Sequence, residues 1–197
     1  MNKLEGFLEL QTLLLHSVPW KRYTGTETFE NDKLWTIRVA VLKGPDFNLP
    51  RKVGVSSEEA EAFAKSLLSK LSPDDYIIYY PYFLAEKSGT LEVSYHRTVI
   101  EAVEKDLWNL LTYNHRDLTV IEENGVINYY GNASFLSHAE TAELLETADY
   151  IRRRYKRDYM TNGSMLLEWS YAYESNPNGT PKGARKLIFI ELRVVKR

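Results

Sequence analysis

The chain has 197 residues, enough for one domain or two small lobes with a proper core. With 44% hydrophobic and 26% charged residues it reads as globular rather than disordered, and a net charge of −2 offers no global attraction for nucleic acid or an anionic membrane. It contains no cysteine, which excludes disulfides, thiolate metal sites and a cysteine nucleophile.

Glu5 and Glu9 stand where a signal peptide needs an unbroken apolar stretch. No run approaches the roughly 18 apolar residues of a membrane span. A cytoplasmic protein with no nucleic-acid or membrane partner is therefore expected. Leu4, Phe7, Leu8, Leu14 and Leu15 predict a short helix over 4–15, ended before Pro19, and 20–33 reads as loop. From Leu34 to Leu42, Trp35, Ile37, Val39 and Val41 alternate with Thr36, Arg38 and Ala40, which predicts a strand. Ser56-Ser57-Glu58-Glu59 reads as a capping box that opens a helix over 57–70.

Tyr76 to Leu84 reads as a buried strand running into an aromatic connector, Tyr79 to Phe83. Gly89 opens a further run, Thr90 to Val93, which is expected to pair with Thr98 to Val103. Val99, Val103, Leu107, Leu110 and Leu111 also fit helical spacing, so a switch from strand to helix is placed near Val103. Glu123-Asn124-Gly125 between two apolar runs is a hairpin signal, because Asn-Gly accepts positive φ. Ser137 to Glu140 caps a long helix, and two strands close the chain. The order describes an α+β protein with a mostly antiparallel sheet, treated as a single domain over 34–197, or two small lobes, to which 1–33 belongs.

The closing strands carry the chemistry. Each places one carboxylate, Glu168 or Glu191, in an apolar run, and Arg193 follows two residues after Glu191. A charge in such a strand is costly unless it is paired or meets a cation or phosphate. If the strands form a hairpin, the two acids are able to share a metal ion, with Arg193 on the face of Glu191. The alternative is that the acids are edge-strand charges, solvated or paired with Arg193 and Lys186. Arg152-Arg153-Arg154-Tyr155-Lys156-Arg157 spreads around a helix near its C-terminus and reads as a solvated helix end. His16, His96, His115 and His138 show no metal-ligand spacing. The four tryptophans and fourteen tyrosines exceed what a domain of this size must bury, which leads to the expectation of a homodimer.

Several of these strings, in order, resemble the ATP-grasp nucleotide-binding domain of phosphoenolpyruvate synthase and pyruvate phosphate dikinase. They are Ile77-Ile78-Tyr79-Tyr80, Ser88-Gly89, Val99-Ile100-Glu101-Ala102, Leu167-Glu168-Trp169 and Ile190-Glu191-Leu192-Arg193, with Thr36-Ile37-Arg38-Val39 upstream. The resemblance covers roughly 34–197. It implies ATP and Mg²⁺ as ligands, with Glu168 and Glu191 on the metal and Arg193 and Arg38 on phosphate. Tyr80 and Tyr82 would lie against adenine. Glu101 falls in the matching strand and joins this cofactor-binding set, although by itself it reads as a satisfied structural acid. An active protein of this kind is a phosphotransferase whose acceptor side comes from a separate phosphohistidine-type protein; a shrunken relative would instead bind a ligand or another protein. Two departures stand out. Glu104-Lys105-Asp106-Leu107-Trp108 lacks the family's glycines and places Trp108 where its acid would be, and the phosphate lobe after Arg38 is far shorter.

Overall fold

The computed structural model describes residues 1–43, 48–72, 74–107, 110, 115–160 and 163–196. In chain order the described elements are α1 (Lys3–Thr12), β1 (Lys21–Tyr23), β2 (Trp35–Val41), β3 (Arg51–Val55), α2 (Ser57–Leu68), β4 (Asp75–Pro81), β5 (Phe83–Val93), β6 (Arg97–Glu104), β7 (Leu118–Glu123), β8 (Val126–Gly131), α3 (His138–Met160), β9 (Gly163–Ser175) and β10 (Pro181–Lys196). They make a four-stranded sheet, β1-β4-β2-β3, and a six-stranded sheet, β10-β9-β5-β6-β7-β8. This is the expected α+β class. Chain contacts divide the protein into two compact units, 1–84 with 172–188, and 85–171 with 189–197. The N-terminal segment 1–33 belongs to the first unit, and the span expected as one domain is shared between both.

In the first unit the alternation of β2 sorts its side chains between two helices. Ile37, Val39 and Val41 face α2, where they join Ala60, Ala64, Leu67, Ile77 and Tyr79 in one buried cluster. Arg38 points the other way, with its guanidinium 5.3 Å from the centre of the Phe7 ring on α1. Asn2 and Glu5 form a reciprocal capping box that starts α1. Ser56 Oγ accepts the Glu59 N–H at 3.2 Å to start α2. Lys21 to Tyr23, expected as loop, instead pairs with Ile77 to Tyr79 on β4. The short run gives no periodicity; its place is set by Tyr23, which is buried against Phe29 and Tyr79.

In the second unit, β5 and β6 pair antiparallel with Thr90 opposite Glu101 and Val93 opposite Thr98. β5 is continuous from Phe83, so Gly89 lies inside a strand rather than at its start. An added Cβ there would lie 1.9 Å from the Glu101 carbonyl oxygen and 2.4 Å from the Trp169 ring, so glycine marks a close approach. β7 and β8 form the expected hairpin. Glu123 pairs with Val126, and Asn124 and Gly125 adopt φ of 52° and 78°, the geometry of a type I′ turn. Ser137 and Glu140 make the reciprocal N-terminal cap of α3. α3 is pinned to the sheet by Arg152, whose Nη2 lies 3.0 Å from Glu122 and whose Nε donates to the Ser94 carbonyl at 3.1 Å. Leu107 and Leu110 pack on Val103, where a helix was expected to begin; Trp108, Asn109 and 111–114 lie outside the described residues. Among the described residues no helix is long and apolar enough to cross a membrane.

Candidate functional site

Strand parity divides the second unit's sheet into two unlike faces. Met165, Leu167, Trp169 and Tyr171 on β9 are buried toward α3, and the Tyr171 hydroxyl donates to the Glu140 carbonyl at 3.1 Å. On the alternate positions Ser164, Glu168 and Ser170 point to the opposite face and are buried as well, while Leu166 is half-buried. There Ser88 and Ser170 share a hydrogen bond of 2.8 Å, and Ser164 donates to Glu92 at 2.7 Å. With Ser88 on Ser170 and Gly89 under the Trp169 ring, β5 runs antiparallel to β9, and Thr90 falls beside Glu168.

β10 brings Glu191 and Arg193 to this same face. Nη2 of Arg193 lies 2.8 Å from Glu168 Oε1 and 2.8 Å from Glu191 Oε1, so the two carboxylates converge on one nitrogen. The side chains of Glu168 and Glu191 retain 11% and 3% of their exposure, against 36% for Arg193. The neighbouring strands β9 and β10 each bury an acid, and the shared guanidinium is what makes that tolerable. One cation between two anions leaves the cluster net negative. Nε of Arg193 is buried and has no hydrogen-bond partner.

Glu101 stands at the far end of the row. It accepts from Thr90 Oγ1 at 3.3 Å and pairs with Arg116 Nε. Thus Glu101, Glu168, Glu191 and Arg193 share one sheet face of the second unit. The other predicted residues belong to the first unit. Arg38 lies on β2 over Phe7, and the buried Tyr80 ring is 6.4 Å from the same Phe7 ring. The Tyr82 ring lies against Gly54, and its backbone N–H donates to the Leu34 carbonyl at 2.8 Å. The aromatic run expected as a connector is therefore split between the ends of β4 and β5. A cavity of about 380 Å³ between Arg22, Thr24, Leu68, Ser72 and Asp75 in the first unit includes none of the predicted residues.

Sequence reasoning missed Ser88, Thr90, Ser170 and Arg116. The first three were visible as hydroxyls at every second position of apolar strands. Arg116 carried no such signal, because its pairing with Glu101 spans 15 residues.

Two carboxylates are the donor type that Mg²⁺ takes, and here the Arg193 guanidinium stands between them. Magnesium is held by one or two carboxylates, completing its shell with waters and substrate phosphates rather than a protein cage. Among the described residues no group of three or more His, Asp or Glu is arranged for a metal. No protein-family model and no curated protein matches the chain.

Proposed function

We propose that the second unit binds a nucleoside triphosphate with Mg²⁺ on the face formed by β9 and β10, and that it takes part in phosphoryl transfer with a separate acceptor protein. The reading is supported above all by the convergence of Glu168 and Glu191 on one Arg193 nitrogen in a largely buried cluster. Glu168 and Glu191 would hold Mg²⁺, and Arg193 would meet phosphate. The bound ion would offset charge on the triphosphate, the main electrostatic need of phosphoryl transfer. Thr90 and Ser170 keep this face polar, while Thr90 and Arg116 hold Glu101 in place at its border.

A second reading has its own observation. Both acids already lie 2.8 Å from one guanidinium nitrogen, the arrangement of a structural ion triad. Under that reading the chain is a catalytically inactive ligand-binding or protein-interaction module. Thermal unfolding with and without Mg·ATP separates the two. A ligand at about 100 times its Kd adds roughly 2.7 kcal/mol of stability. The proposal expects a Mg²⁺-dependent rise in Tm that disappears in Glu168→Gln and Glu191→Gln. Equal Tm with and without Mg·ATP up to millimolar concentration would leave the structural triad as the better account.

A further inference from the structure

A sheet edge exposes a row of N–H and C=O groups, and proteins guard such edges with charge, above all lysine. Among the described strands, three of the four sheet edges are guarded in this way. β1 carries Lys21 and Arg22, β3 carries Arg51 and Lys52, and β10 carries Lys182, Arg185 and Lys186. The fourth, β8, reads Val126-Ile127-Asn128-Tyr129-Tyr130-Gly131, and from Asn124 to Ser137 no residue is charged. All six residues of β8 are exposed; Val126 and Tyr130 each keep 58% of their surface and Ile127 and Tyr129 each 41%. A strand with this composition and no guard is built to be paired.

The hairpin register says how. Val126 closes the two-residue turn opposite Glu123, so Val126, Asn128 and Tyr130 direct their backbone groups toward β7. Ile127 and Tyr129 therefore direct theirs toward the open edge. These two positions are symmetric about Asn128. A second β8 laid antiparallel with Asn128 on the twofold axis places Ile127 of each copy opposite Tyr129 of the other, with all outward N–H and C=O groups exchanged. Val126 then faces Tyr130. Each of these is an aromatic and β-branched cross-strand pair, a combination that stabilises sheets. No like charges meet, because the strand has none. The contact is self-complementary, as a twofold interface requires.

We propose that β8 is the surface through which two copies of this chain join, antiparallel, into one sheet continuous across a twofold axis. Light scattering on the full chain at micromolar concentration should give twice the 22.9 kDa chain mass. Ile127→Pro removes an outward N–H and leaves the β7 pairing intact, and Tyr129→Lys supplies the missing guard; both should give folded single chains by circular dichroism. Because the protein has no cysteine, Asn128→Cys reports directly on the axis. Directly opposed residues of this non-hydrogen-bonded kind have Cα atoms about 4.5 Å apart, within disulfide range. Mild oxidation should link Asn128→Cys into a dimer and leave Asn132→Cys as single chains. A wild-type protein of single-chain mass overturns the proposal. So does a dimer that survives both edge substitutions, or equal cross-linking at the two cysteine positions.

Discussion

Replacing Arg193 with methionine removes the guanidinium and keeps much of the side-chain bulk. Glu168 and Glu191 then retain two negative charges whose oxygens lie within twice 2.8 Å of each other. At an effective dielectric near 20 such a separation corresponds to roughly 3 kcal/mol of repulsion. Breaking a buried pair by removing one partner costs about 3–5 kcal/mol, and the partial exposure of Arg193 places this case at the lower end. A loss of about 3 kcal/mol at pH 7 is therefore expected, measured by urea unfolding at constant m-value. Adding Glu168→Gln to this variant should restore part of the loss at pH 7, because it removes one of the two facing charges. A loss below about 1 kcal/mol would refute the electrostatic role of the triad.

Three further outcomes follow from local geometry. Gly89→Ala sets a Cβ 1.9 Å from a backbone oxygen, and unfolding should show a loss of at least about 3 kcal/mol, where a tolerant site would lose less than 1. Ser137→Ala removes the hydroxyl that accepts the Glu140 N–H, and a loss of about 1 kcal/mol is expected by thermal or urea unfolding. Glu27 is partly desolvated, which works against its charge, but hydrogen bonds from Thr24 and from backbone N–H groups of its own loop hold its carboxyl down to about 2. Because the folded pKa lies below the usual 4.5, its contribution is present above that pH and is lost as pH falls toward 2. Glu27→Gln should flatten the acid limb of the stability profile between those values.

Local rules made much of the fold legible. The Ser137–Glu140 cap, the Asn124-Gly125 turn and the alternation of β2 each depend on residues close in sequence, and each appears where its pattern points. β1 and β3 did not show themselves, because runs this short carry almost no periodicity and owe their place to neighbours on other strands. Gly89 was mistaken for a strand boundary. Its actual role, yielding space to Trp169, is set by a residue eighty positions away. The site was half legible. Charges at Glu168, Glu191 and Arg193 in apolar strands indicated a buried cluster, and parity put two of them on one face. Parity could not show that the guanidinium stands between the two acids, nor that Arg38, Tyr80 and Tyr82 are packed around α1 and β3 in the first unit.

The most direct test of the nucleotide reading is a calorimetric titration of the full-length protein with ATP, run in parallel with Mg²⁺ and with excess EDTA. Saturable binding of one nucleotide per chain should be present with Mg²⁺, weaken sharply in EDTA, and be absent from folded Glu168→Gln and Arg193→Met proteins. Heat indistinguishable from dilution in both buffers, or binding left unchanged by those two substitutions, would contradict a metal–nucleotide site between β9 and β10.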